Sequence, residues 1–168
     1  GKCSSISLSA LGTELILYQN DWEDGTLGGY SGACLYYSRL ENGKWTPIKK
    51  FNTNVNSMVN ESFACISPDG KRLYFTSDRK GGFGGFDIYV SYREKGDWGK
   101  PFNLGPTINT LYDEESPVIL ADGKTLYFSS EGHYNMGGMD VFCTKMLEDG
   151  EWAEPVNLGY PINSTDDN

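Results

Sequence analysis

The chain has 168 residues, of which 38% are hydrophobic, 14% aromatic and 22% charged, with a formal net charge of −9. That is enough apolar material for one packed domain, which excludes a disordered chain, and the acidic balance excludes the cationic face that nucleic acid or an anionic membrane would require. No apolar run reaches the ~18 residues of a membrane-spanning helix, and no signal peptide is visible. Cys34, Cys65 and Cys143 lie in apolar, strand-like runs, and no two cysteines have C-x-x-C spacing. They are expected to be small buried strand residues rather than zinc ligands or a redox pair.

In chain order, the predicted strands are 5–9, 14–18, 33–38 and 44–51, then 63–66, 72–76, 86–92 and 98–104, then 117–120, 125–129, 140–145 and 151–158. Between the first two of the middle set stand Ser67, Pro68, Asp69 and Gly70, where Pro presets φ and Gly accepts the positive φ other residues resist. Residues 94–97 (Glu-Lys-Gly-Asp) turn the chain into the fourth strand. No segment sustains a helical period. Many strands are almost continuously apolar, as a sheet covered on both faces requires.

These elements repeat. Residues 61–109 and 115–163 share Glu-Ser, an apolar run, Asp-Gly-Lys, Leu-Tyr-Phe, a Gly-Gly loop, an Asp, a Trp, then Asn-Leu-Gly and Ile-Asn. A looser copy precedes them. Trp45, Trp98 and Trp152 are 53 and 54 residues apart, and so are Asn56, Asn109 and Asn163. Repetition at such a period signals an array or propeller. Four short strands per unit, each unit sandwiched between neighbours, describe an all-β fold of β-propeller type. A β-sandwich does not predict near-identical units. The blades are read at about 3–56, 61–109 and 115–163, with 164–168 leading into a further blade. Propellers close with roughly four to eight blades. The three here are therefore expected to be part of a longer polypeptide or one half of a two-fold ring with six.

Residues 67–71 (Ser-Pro-Asp-Gly-Lys) followed by 73–78 (Leu-Tyr-Phe-Thr-Ser-Asp) resemble the repeat of TolB-like, WD-like propellers. The fuller pattern at 115–117, 122–130, 137–142 and 157–163 is similar to the propeller of Bacteroidota envelope proteins. There the propeller accompanies tetratricopeptide repeats and an OmpA-like peptidoglycan-binding domain, and one member belongs to the type IX secretion machinery. The resemblance implies a periplasmic, outer-membrane-associated protein whose partners are other envelope proteins, with peptidoglycan reached through domains outside this chain. It covers 61–168 well and 5–56 loosely. In the first copy Ala10, Leu11 and Gly12 replace Pro-Asp-Gly, and Ala33 is read in the place of the repeated Asp.

No constellation for chemistry stands beside the repeat. The glycine loops at 28–29, 81–85 and 137–138 join strand to strand and open no helix, so they are not phosphate cradles. Asp87 and Asp140, just after them, are expected to accept backbone N–H bonds that hold the loops. Asp113, Glu114, Glu115, Asp166 and Asp167 read as solvated loop carboxylates, and 20–25 lacks the closing glutamate of a calcium loop. Glu61 and Glu115 are expected to cap the inner strands. His133 is the single histidine, and nothing marks an acid to orient it or an oxyanion hole. Residues 29–33 lack the last glycine of a nucleophile elbow, and the Asp-Gly turns lack sialidase-box spacing.

No catalytic residue, metal or cofactor is therefore expected. The expected role is a non-catalytic interaction scaffold. The alternatives are a hydrolase or glycan-processing propeller with its site on other blades, or a glycan- or calcium-binding module. The candidate binding residues are Trp22, Arg79, Tyr112, Asp113, Glu114, His133 and Tyr134, joined by Tyr30, Phe83 and Met136, on the face that carries the inter-blade loops. Exposed aromatics with a cation and carboxylates suit protein or glycan recognition.

Overall fold

The structure, a computed structural model, describes residues 3–20 and 32–165. Three antiparallel sheets follow one another along the chain. The first holds β1 (Cys3–Leu8), β2 (Glu14–Asn20) and β3 (Ala33–Glu41), with β4 (Lys44–Trp45) and β5 (Lys49–Lys50) both paired to β3. The second holds β6 (Glu61–Ile66), β7 (Arg72–Ser77) and β8 (Asp87–Glu94), with β9 (Asp97–Trp98) and β10 (Phe102–Asn103) on β8. The third runs β11 (Glu114–Ile119), β12 (Thr125–Ser130), β13 (Asp140–Lys145) and β14 (Val156–Asn157), with a single bridge between Met146 and Trp152. These are three propeller blades. Among the described residues no helix is long and apolar enough to cross a membrane.

The outer strand of each blade differs from its predicted form. Instead of one run it is two short pairings with a gap between them, and Pro47, Pro101 or Pro155 lies in or beside each gap. Proline has no N–H to give the ladder, so pairing stops and resumes beyond it. The repeat compensates at the break. The Ser38 and Ser91 hydroxyls donate to the carbonyls of Thr46 (2.6 Å) and Gly99 (2.7 Å), and the Thr144 hydroxyl to that of Ala153.

Turn chemistry fixes the register. Asn42 and Gly43, and Lys95 and Gly96, all take positive φ in two-residue hairpin loops, the mirror-image turn whose twist matches that of the strands. In the third blade Asp122 accepts from the Thr125 hydroxyl (2.6 Å) and from the N–H groups of Lys124 (2.9 Å) and Thr125 (2.8 Å), and the hydroxyl first, then these N–H groups, pull its carboxyl down to about 2. The inner strands carry a bulge with positive φ at Phe63 and Ser116, where the pairing register shifts. Counting back from the Asp-Gly turn, Glu61 pairs with Ser77 and Glu114 with Ser130. The counterpart of Glu61 is therefore Glu114, not Glu115. The repeated Asp also moves by one: Gln19 pairs with Cys34 as Ser77 pairs with Asp87 and Ser130 with Asp140, so Cys34 rather than Ala33 holds that position.

The core lies between blades. Ile16, Leu35, Phe51 and Val55 of the first blade pack on Ala64, Ile66, Leu73, Phe75, Tyr89 and Trp98 of the second. Cys65, Tyr74, Ile88, Val90 and Ile108 of the second pack on Ile119, Leu126, Phe128, Phe142 and Trp152 of the third. Along β7, Leu73 and Phe75 point one way and Tyr74 the other, which is why the strand reads as a continuous apolar run. Cys65 sits in this second core, where burial pushes its thiol up to about 12.

One side chain per blade completes the backbone pairing. Asn109 accepts from the Ile88 N–H at 2.8 Å and donates to the Ile88 carbonyl at 2.9 Å and to Asn103 Oδ1 at 2.8 Å. Asn56 makes the same two-way exchange with Leu35, and Asn163 with Val141. The amide thus imitates one residue of an antiparallel partner strand. Replacing Asn109 with alanine leaves the buried Ile88 N–H without its partner. Asn109→Ala is expected to cost about 3 kcal/mol, read as a shift of the urea midpoint without change of slope; a loss below about 0.5 kcal/mol would contradict this account.

Candidate functional site

The glycine loop of the second blade meets the linker that leads into the third. In the second blade Asp87 accepts from the N–H of Phe83 (2.6 Å) and Gly84 (3.2 Å) and from Asn103 Nδ2 (2.6 Å). Asp140 accepts from the Met136 N–H and from Asn157 Nδ2 (2.8 Å). Both aspartates therefore hold their loops as their position predicted. The loop of residues 81–86 is tied to the linker by Gly85 N–H to the Tyr112 carbonyl (3.3 Å) and Phe86 N–H to Asp113 Oδ1 (2.7 Å). A Cβ on Gly84 would lie 2.2 Å from the Tyr112 carbonyl oxygen, so only glycine allows this approach.

Beneath this surface each linker closes over a buried glutamate. Glu114 is fully buried, accepting from the Thr110 N–H and hydroxyl (both 2.7 Å) and the Ser130 hydroxyl (2.7 Å). Glu61, equally buried, accepts from the Ser57 N–H (2.9 Å) and hydroxyl, the Ser77 hydroxyl (3.1 Å) and Arg79 Nη2 (3.2 Å). Desolvation pushes both carboxyls above their usual range, against the pull of those donors.

Arg79 and His133 play one part in successive blades. Arg79 stacks over Phe75 and Tyr89 and donates to the Val55 carbonyl at 2.6 Å. His133 packs on Phe128 and Phe142, with Nε2 2.9 Å from the Ile108 carbonyl. Each ties its loop to the residue just before the strand-mimicking asparagine. Burial lowers the Arg79 pKa.

Of the candidate binding residues, then, Arg79, Glu114 and His133 are engaged within the scaffold. Glu114 in particular is not the solvated loop carboxylate the sequence suggested. Asp113 is half-buried and holds Phe86, while Tyr112 and Tyr134 stand in solvent, Tyr134 with 96% of its surface exposed. Trp22, Tyr30, Asp166 and Asp167 lie outside the described residues, as do the first glycine loop and most of residues 20–25. Phe83 and Met136 are partly exposed beside the two tyrosines' loops.

Leu111, which the sequence reading passed over, is also exposed on the linker. Its signal was available, because Met58 occupies the same repeat position in the preceding linker and is exposed too. Burial, then Asp113 and Glu131, raise the pKa of Glu115. Among the described residues no group of three or more His, Cys, Asp or Glu is placed to hold a metal ion. A cleft of about 450 Å³ beside the first linker is lined by Lys50, Phe51, Thr53, Asn56, Ser57 and Met58, and its Ser57 hydroxyl is already given to Glu61.

No family model matches the chain, and no curated protein matches it in sequence. Solved structures do. TolB from Acinetobacter baumannii superposes with a TM-score of 0.57 at 16% identity, over 91% of this chain and 32% of that one. A puromycin-hydrolyzing peptidase from Mycobacterium tuberculosis gives 0.52 at 18% identity, over 96% and 23%. A hypothetical selenium-binding protein from Sulfolobus tokodaii gives 0.50 at 14% identity, over 93% and 41%. The fold is thus a TolB-like β-propeller, and the chain spans between about a quarter and two-fifths of these similar structures.

The two buried glutamates answer differently to an amide. At Glu114 a glutamine can turn its Nε2 to the two hydroxyls, which rotate to accept, whereas at Glu61 it meets either the Ser57 N–H or the Arg79 guanidinium. Glu61→Gln is expected to cost about 3 kcal/mol and Glu114→Gln less than about 1 kcal/mol near neutral pH, by urea denaturation. The folded pKa of Glu114 is raised, so its contribution is full in acid and is lost as pH rises out of the carboxylate range. The deficit of Glu114→Gln should accordingly shrink with rising pH, and equal costs at both sites or a growing deficit would refute the assignment.

Proposed function

We propose that this chain is a non-catalytic binding module whose recognition surface is the loop face, built around Leu111, Tyr112 and Tyr134. One observation carries the reading: on this face Arg79, His133, Glu61, Glu114, Asp87 and Asp140 are all engaged in bonds within the scaffold, while Leu111, Tyr112 and Tyr134 are exposed to solvent. A hydrolytic site needs a base and a nucleophile free to react. The side chains offered here instead suit the buried centre of a protein interface.

The setting follows from the resemblance of the repeat to propellers of Bacteroidota envelope proteins. It supports a periplasmic scaffold in an outer-membrane or peptidoglycan-associated assembly, with type IX secretion its narrowest form. The same propeller fold occurs in a peptidase. The rival is therefore a hydrolase whose reacting groups lie on other blades.

Affinity capture from envelope extract, comparing the unaltered chain with a triple variant carrying Leu111→Ala, Tyr112→Ala and Tyr134→Ala, tests the reading. The unaltered chain should retain a specific partner and the variant at least about tenfold less of it, at an unchanged melting temperature. Capture of nothing specific, or equal capture by both, rejects the loop face. Turnover of peptide or glycoside substrates, abolished by His133→Ala in a folded protein, would establish the rival.

A further inference from the structure

The exposed patch at the second junction is edged by carboxylates that the chain leaves without a cation. The linker carrying Leu111, Tyr112 and Asp113 runs between two glycine loops. On one side Gly85 N–H reaches the Tyr112 carbonyl, and on the other Glu131 N–H reaches the Asp113 carbonyl at 3.1 Å. The second contact is close, since a Cβ on Gly132 would lie 1.8 Å from Thr110 Oγ1. Tyr134 follows two residues later, almost wholly exposed. Glu115 lies in β11 opposite Ser129, two residues past Asp113, so Asp113, Glu115 and Glu131 gather beside the patch. The half-buried Glu115 feels both neighbours: burial first, then Asp113 and Glu131, push its carboxyl up. The ion pairs between described residues all go to Glu14 or Glu61, and the Glu115 and Glu131 carboxylates have no bonded partner among the described residues. Nor are these groups placed to hold a metal ion.

Elsewhere the chain answers its carboxylates with arginine laid on aromatic rings. Arg79 stacks over Phe75 and Tyr89 at 4.9 and 5.0 Å and bonds Glu61. Arg93 lies 4.5 Å over Trp98 and bonds Glu14 at 2.7 Å. The patch has the rings, Tyr112 and Tyr134, and the carboxylates, Glu115 and Glu131, but no guanidinium. Of the basic side chains on the described loops, Arg79 and His133 are held within the scaffold, which leaves Lys80 against three carboxylates. Resting on the reading of this face as a recognition surface, we infer that its partner is a protein segment presenting arginine beside an apolar side chain. The guanidinium stacks on the exposed tyrosines with Glu115 and Glu131 at its edge, and the apolar neighbour covers Leu111. A planar guanidinium can donate to carboxylates while its face lies on a ring, which a compact, strongly hydrated ammonium does less well. A neutral or acidic segment would instead desolvate the Glu115 carboxylate further without supplying a counter-charge.

A display library of random short peptides, selected on the unaltered chain, tests this. The recovered peptides should carry arginine next to an apolar residue. A synthetic copy with citrulline at each arginine, which keeps the shape without the charge, should bind at least about tenfold more weakly. Glu115→Gln with Glu131→Gln should weaken the arginine peptide at least about fivefold at an unchanged melting temperature, and leave the citrulline copy as it was. Glu148→Gln with Asp149→Asn, on an exposed turn of the third blade, should change neither. If the first pair does not fold, salt decides: going from about 0.05 to about 0.5 M should weaken the arginine peptide and spare the citrulline copy. Peptides that lack arginine, or that ignore citrulline and the Glu115 and Glu131 changes, overturn the inference. The loop face still stands in that case if Leu111→Ala, Tyr112→Ala and Tyr134→Ala together abolish binding. Equal weakening by the Glu148 and Asp149 pair also overturns it, as attraction to net charge alone. Recovery of no peptide, or of peptides that bind the triple variant equally well, overturns it together with the loop face.

Discussion

The structure depends on how the third strand of each blade is paired where the outer strand gives out. Proline ends the outer strand's ladder, and what resumes beyond it is only two residues long, as at β5, β10 and β14. The next backbone groups of the third strand are buried between blades, where an unpaired N–H costs about as much as a lost hydrogen bond. Asn56, Asn109 and Asn163 resolve this by offering a carbonyl and an amide in the spacing of a peptide unit. The following linker is thereby pinned to the blade it leaves, before it enters the next.

The rest of the polar framework hangs on that anchor. In the second blade Asn109 Nδ2 reaches Asn103 Oδ1, Asn103 Nδ2 reaches Asp87, and Asp87 holds the glycine loop; Asn163, Asn157 and Asp140 repeat the chain of bonds in the third. One residue after the asparagine, Ser57 or Thr110 drops onto the buried glutamate of the next inner strand. The glutamate is costly to bury, as the upward pKa shifts express, and it is tolerated because its oxygens meet donors from the linker and the second strand. The two junctions solve one problem with different chemistry. Arg79 supplies a cation to Glu61, whereas Glu114 is held by hydroxyls and a backbone N–H, and His133 only bridges ring faces to a carbonyl.

Much of this was legible in the sequence, because repetition filters out accident. The period of Trp45, Trp98 and Trp152 gave the blades, the doubly apolar strands gave the sandwiching, and Asp87 and Asp140 announced their loops by position. What misled was register. Glu61-Ser62 and Glu115-Ser116 look like the same pair, but the hairpin turn counts residues back from Asp69 and Asp122, and on that count Glu114 is the buried one. Ala33 and Cys34 were exchanged for a similar reason, since the loop before them has its own length. Arg79 and His133 looked like surface residues because type alone does not reveal a pair of neighbouring aromatic rings on which each one packs. Phe75 and Tyr89, like Phe128 and Phe142, come together only through strand pairing.

The same repetition makes stability a nearest-neighbour quantity, in which each blade is held by its contacts with the blades beside it. The second blade is covered on both faces, and its Leu73, Tyr74, Phe75 and Ile88 are almost wholly buried. The first and third blades each have one face covered. Each Leu, Ile or Phe withdrawn from water contributes about 1.5–3 kcal/mol, so a junction seating several such residues outweighs the turns and caps within a blade. A blade whose two faces are both apolar is therefore a poor terminus, since nothing in its sequence distinguishes an interior position from an end. The repeat that makes the fold recognisable is also what makes each blade depend on its neighbours.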